Sequence, residues 1–175
     1  RGGGNDDREM VVVDAVGDKV PVVAAGGLFD GRGLAASLAL GADGVWIGTR
    51  FVATPEARAV KGYKEAILAI AEDGTVVSRS YTGKTCRVVR NEWTNHFEKH
   101  PEELQPFPLQ VIASSNAGAN HLGAHDGTEV DVNREFFPCG QGAGAIDELI
   151  PAGDIVRQMV REAERTMERI AAIRR

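Results

Sequence analysis

From Val20 to Phe51 the chain alternates short apolar runs, glycine turns and one amphipathic stretch. Val20, Val22, Val23, Ala24 and Ala25 form an almost wholly apolar run broken only by Pro21. That pattern predicts a strand buried on both faces, as in a parallel sheet. Gly26-Gly27 ends it. Lacking Cβ atoms, these residues permit positive φ and let a ligand approach the main chain closely. Asp30 then caps a helix with Leu34, Ala35, Leu38 and Ala39 on one face, and Gly41 stops it. Gly44-Val45-Trp46-Ile47 starts a second strand, and Gly48-Thr49 opens the next loop. Adjacent parallel strands with glycines at their carboxyl ends are where α/β barrels commonly hold phosphate.

The flanking pattern is plainer. A short helix is expected over Glu9–Val16, with Met10, Val13 and Val16 on its apolar face. Thr54-Pro55-Glu56-Ala57 reads as a helix start, Thr54 capping it and proline in its first turn. Val60, Tyr63, Ile67 and Ile70 then carry the helical spacing to about Glu72. Thr75–Ser80 is expected to be extended. From Thr94 to Gly144 prolines and glycines break the periodicity, and Asn116–Gly127 reads as a long loop. The last helix, Asp154 to Ile173, has one apolar stripe: Ile155, Val156, Met159, Val160, Ala163, Met167 and Ile170.

PVVAAGG, DGRGLAASLALGADGV and IGTRF together resemble the nitronate monooxygenase family, once called 2-nitropropane dioxygenases. Thr82-Gly83-Lys84, Arg87, Arg90-Asn91 and the tail from Gly140 to Val156 extend the resemblance. It implies the C-terminal part of an FMN-binding (β/α)8 TIM barrel, an α/β fold, with a C-terminal helical extension. Residues 1–93 would supply the last barrel strands and helices, and residues 94–175 an irregular segment and a helix packed on them.

With 175 residues, the chain is shorter than the roughly 250 of a whole barrel. It begins at Arg1 rather than methionine. It is therefore expected to be the C-terminal portion of a larger enzyme. Net charge is −5 and 43% of residues are hydrophobic, an ordinary globular balance that gives no support for nucleic acid or anionic membrane as a partner. No apolar run approaches the roughly 20 residues needed to span a bilayer. Cys86 and Cys139 fit neither a disulfide framework nor a zinc spacing, so free thiols in a reducing cytoplasm are expected.

A flavin phosphate needs several donors, and glycine-turn amides supply them without a charged side chain. Gly27 is placed to contribute from the first loop after Gly26, and Gly48 with Thr49 from the second, the Thr49 hydroxyl adding a donor. The resemblance extends that set to Trp46 and Ile47. The family often has a polar residue at the Trp46 position, so the contact implied there is through the main chain. It also matches Gly3 and Gly4 to a glycine pair approaching the flavin from the other side, with Asn5 where a histidine is common.

No catalytic residue is assigned, because the family's histidine belongs to an earlier barrel loop. None of His96, His100, His121 or His125 lies in a matching motif. His121 and His125, beside Asp126, Glu129 and Asp131, have a metal-like spacing, but Gly118, Gly123 and Gly127 argue against a helix aligning them, and no metal is expected. Gly140–Gly144 lacks the spacing of a dinucleotide fingerprint and reads as a loop.

The implied reaction converts an alkyl nitronate, with O2, to a carbonyl compound and nitrite. FMN-dependent enoyl-acyl carrier protein reductases share the AAGG and GTRF motifs. More distant alternatives are an inosine monophosphate dehydrogenase type of barrel and an inactive fragment that only binds phosphate.

Overall fold

The computed structural model describes residues 6–121 and 123–173. Helix α1 (Asp6–Val16) runs through a tight turn at Gly17–Lys19 into strand β1 (Val23–Ala25). The strand is shorter than the apolar run that predicts it, and Val20 is exposed. Pro21 offers no N–H to a ladder. At the next residue, Val22 N–H donates to the Asp43 carboxylate (2.8 Å) and Val22 O accepts from Asp43 N (2.7 Å).

Helix α2 (Gly31–Ala39) crosses over to strand β2 (Gly44–Trp46), which lies parallel to β1 with Val23 opposite Gly44 and Ala25 opposite Trp46. The Asp30 carboxylate accepts from Arg32 N and Gly33 N, satisfying two of the first-turn donors. Gly41, at φ 96°, follows the helix end. The buried face differs from the expected one. Gly31, Ala35 and Ser37 are buried, whereas Leu38 is exposed. The cause is helix α7 (Ala152–Ala172), which crosses so close that a Cβ on Gly31 would stand 2.3 Å from Glu162 Cβ and from Met159 O. Only small residues fit that crossing. Glu162 Oε2 also accepts from Gly31 N at 2.9 Å, so α7 caps α2 from outside. The apolar stripe of α7 is divided: Ile155, Met159 and Ala163 are buried, while Val156, Val160, Met167 and Ile170 are exposed.

After β2 comes a one-turn helix, α3 (Thr49–Val52), which the periodicity did not predict. Helix α4 (Lys61–Ala69) starts later than expected, because Thr54 Oγ1 accepts from Ala57 N (3.1 Å) in an isolated turn that does not propagate. Its expected face is otherwise observed, with Val60 and Ile67 buried.

Strands β3 (Thr75–Ser78) and β4 (Cys86–Val89) form an antiparallel hairpin. The segment 137–139 adds to it through Val89 N to Phe137 O (3.0 Å) and Cys139 N to Arg87 O (3.1 Å). The stretch expected to be irregular holds two helices, α5 (Glu92–Lys99) and α6 (Leu109–Asn116). Asn91 and Thr94 start α5 with a reciprocal capping box. Val60, Val89, Phe137, Cys139 and Ala143 form one buried cluster, and Val76, Tyr81, Val88 and Ala119 another.

Candidate functional site

Both glycine loops lie where the parallel strands end. Gly26 and Gly27 adopt φ of 101° and 73°, a region that glycine enters without strain, and they turn the chain directly out of β1. One strand over, Trp46 ends β2, half-buried Ile47 follows, and Gly48 caps α3, which begins at Thr49. The Trp46 side chain is 74% exposed. A Cβ placed on Gly27 or Gly48 would meet nothing within 4 Å, so both loops border open space. Gly3 and Gly4 lie outside the described residues.

A third segment joins them, the Gly140–Gly144 run of the tail. Gly140 donates its N–H to Thr49 Oγ1 at 2.7 Å. A Cβ on Gly140 would lie 3.4 Å from Thr49 Oγ1 and 3.6 Å from Gly27 N. The hydroxyl of one loop and the amide of the other therefore converge on one point. Gly142 is closer still: a Cβ there would stand 2.6 Å from Gly27 O and from Phe29 Cδ1. The glycines of the Gly140–Gly144 run let the tail pass flush against the Gly26-Gly27 turn. The signal available in the sequence was the density of glycines, two of which, Gly140 and Gly142, face Gly27, while Gly144 faces Ala71. Since Thr49 Oγ1 accepts from Gly140, its own proton remains for another acceptor.

Arg50 anchors this corner from below. It is buried, donates through Nη1 to Glu148 O (2.9 Å), and holds α3 against the tail. Burial lowers its pKa, opposed by the nearby charges of Glu148 and Asp147. Its Nη2 is buried and has no protein partner among the described residues.

The remaining candidates are engaged elsewhere. Arg87 bonds Thr75 Oγ1, Arg90 pairs with Glu98 at 2.6 Å, and Lys84 Nζ stands 4.0 Å over the Phe107 ring. His121 Nδ1 contacts Glu135, and His125 Nδ1 the Asp126 carbonyl. Cys86 and Cys139 are free thiols, and burial raises both pKa values, Cys139 up to about 12. Among the described residues no helix is long and apolar enough to cross a membrane.

A family model described as nitronate monooxygenase matches residues 4–162. A putative monooxygenase of Mycobacterium tuberculosis is 38% identical over 155 residues, covering 86% of this chain and 40% of that protein. A probable nitronate monooxygenase of Staphylococcus saprophyticus is 34% identical over 150 residues, covering 86% of this chain and 41% of its own. FabK from Thermotoga maritima superposes with a TM-score of 0.81 at 33% identity, over 97% of this chain and 51% of that one. Nitroalkane oxidase from Streptomyces ansochromogenes gives 0.75 at 28%, over 95% and 45%. The chain thus has the α/β architecture of part of a TIM barrel and spans about half the length, or less, of these proteins.

Proposed function

The chain belongs to the nitronate monooxygenase family, and from that premise we propose that it supplies the phosphate-binding corner of an FMN-dependent oxidoreductase acting on alkyl nitronates. The substrate is a small nitronate or nitroalkane, O2 is the co-substrate, and the products are a carbonyl compound and nitrite. The observation that carries this reading is the convergence of Gly27 N and Thr49 Oγ1 beside Gly140, at the carboxyl ends of two parallel strands.

The corner suits a phosphate in space and in donors. Open room faces Gly27 and Gly48, and main-chain amides at such turns form concave nests for anions. Gly26 and Gly27 supply one wall and Ile47, Gly48 and Thr49 the other, with Trp46 contributing main chain only. The Thr49 hydroxyl, accepting from Gly140 N, keeps its own proton for a ligand oxygen. Donors to a charged oxygen are worth about 1.5–3 kcal/mol each. Bound flavin supplies the electron-transfer chemistry; the corner fixes where it lies. Residues 1–93 provide that corner and residues 94–175 pack against it. The two free thiols suit a reducing cytoplasm.

A second reading, an enoyl-acyl carrier protein reductase using NAD(P)H, is favoured by the same Gly26-Gly27 and Gly48–Phe51 motifs. The full-length protein separates the two. Nitronate-dependent oxygen uptake without NADH is the expected result. NADH oxidation that requires an enoyl thioester transfers the assignment to the second reading. A colourless protein that rebinds no FMN removes both.

A further inference from the structure

Away from the glycine corner, one pair combines a buried charge with an unspent polar atom. Glu135 is 3% exposed. Both its carboxylate oxygens are engaged by His121: Oε1 accepts from the backbone N–H at 3.0 Å, and Oε2 lies 2.6 Å from Nδ1. A carboxylate beside Nδ1 favours the tautomer that carries its proton there. Leaving such a buried carboxylate unpaired is costly, which holds the ring in place. The His121 side chain is nonetheless 39% exposed, and its Nε2 has no hydrogen bond among the described residues. A histidine oriented through Nδ1 by a carboxylate, with Nε2 unspent, is built for proton exchange.

His121 lines a cleft of about 510 Å³, within the range of small-molecule sites. Val60, Tyr63 and Phe137 give it an apolar side, and Arg58 and His125 add polar rim positions. Tyr63 and Phe137 stack with ring centroids 4.8 Å apart, which makes that side rigid. Glu135 is buried with both oxygens engaged by His121, so the exposed charge on the rim is that of Arg58, and it favours an anionic head group.

We propose that this cleft is a second small-molecule site, taking a weak organic acid with a ring-sized apolar body, and that His121 exchanges a proton with its head group through Nε2. The neutral acid gives its proton to the Nε2 lone pair, and the bonding electrons stay on the ligand; phenylacetate, already the anion, reaches the same ion pair with the Nε2 proton drawn from water. The resulting imidazolium rests against the Glu135 carboxylate, and the anion stays beside Arg58. Glu135 is the positioning residue. No flavin enters this step, so the proposal stands or falls apart from the oxidoreductase reading.

Ring-nitrogen NMR of the full-length protein, with and without FMN, reads His121 once its signals are assigned from their loss in His121→Asn. Phenylacetate is the probe. The expected result is a Nδ1-protonated pattern at His121 and a saturable phenylacetate shift at that ring in both states. His121→Asn then weakens binding on the order of tenfold or more, and His100→Asn, which lies outside the cleft and pairs with Glu102, leaves it within about threefold. Glu135→Gln should shift the ring proton preference towards Nε2, a change that loss of a loop anchor alone would not produce. Should that variant fail to fold, the wild-type pattern and His121→Asn decide. No saturable shift at His121, or unchanged binding in His121→Asn, overturns the proposal.

Discussion

The glycine corner and the hairpin side of this molecule are built on opposite plans. At the corner, β1 and β2 pair over three residues each, Val23 and Trp46 are 54% and 74% exposed, and the loops face open space. Around the β3–β4 hairpin, polar side chains are buried and bonded to main chain. Gln110 donates to Ser80 O, Ser114 to Tyr81 O (2.7 Å) and Trp93 Nε1 to Ser80 O (3.0 Å). Tyr81 OH lies 3.0 Å from Arg134 O and 3.1 Å from Glu135 O. One region leaves its loops open; the other bonds its buried polar side chains within the chain and opens only at the His121 cleft. Fully bonded buried networks rigidify a core, whereas loops poor in contacts carry binding.

The largest effect should come from emptying the self-satisfied side. Phe137 is 1% exposed, stacked on Tyr63 and central to its cluster. Phe137→Ala is expected to cost about 3–5 kcal/mol in urea unfolding. Trp46→Ala, despite deleting an even larger ring, should change stability by no more than about 0.5 kcal/mol. Comparable losses from the two substitutions would end the contrast.

This division also explains what the sequence revealed. The corner was legible because its signals are local: an apolar run, a glycine pair, an Asp30 cap and the Gly41 stop each act within a few residues. Even there, the buried face of α2 was misjudged, because the closeness of α7 at Gly31 is a tertiary fact. The hairpin side was opaque for the same reason on a larger scale. Helix α6 has no side-chain cap, and its buried residues are Gln110 and Ser114, polar side chains that periodicity assigns to solvent. They are buried because Ser80 and Tyr81 offer carbonyls, and no pattern within α6 announces those partners. The resemblance places the Gly140–Gly144 tail near the active-site mouth, but its contact with Gly27 is not legible in the pattern, because Gly27 is distant in sequence.

A middle-sized effect probes the seam between the regions. A Cβ on Gly142 meets a backbone oxygen, Gly27 O, at 2.6 Å, and neither side can yield without moving the loop. Gly142→Ala is therefore expected to cost about 1–3 kcal/mol and to weaken FMN retention on the order of tenfold. Gly27→Ala meets no steric conflict, but its φ of 73° imposes strain of about 1–2 kcal/mol. Flavin fluorescence titration of the full-length protein measures retention. If Gly142→Ala holds FMN as tightly as the wild type, the tail is not part of the cradle.

The last effect, confined to alkaline pH and absent at neutrality, is a pH dependence belonging to the hairpin side. Burial raises the pKa values of Cys139, Tyr63 and Tyr81, all of which lie in or against the clusters around β3 and β4. For Cys139 the unfolded chain releases its proton near the ordinary 9.0, while the folded chain holds it to about 12. Across that window the unfolded state binds fewer protons, so stability falls as pH rises. Below the window both states are protonated and the thiol contributes nothing to the slope. Cys139→Ala should accordingly flatten the decline of the urea midpoint between pH 9 and 12, while below it the two midpoints differ by a constant. The tyrosines, raised from 10.0, act in the same direction and leave a residual slope in the variant. Because these groups are on one side, the hairpin should loosen first, with the α2–α7 crossing still protected in hydrogen exchange. Simultaneous loss of protection on both sides would mean that the two plans share one cooperative unit.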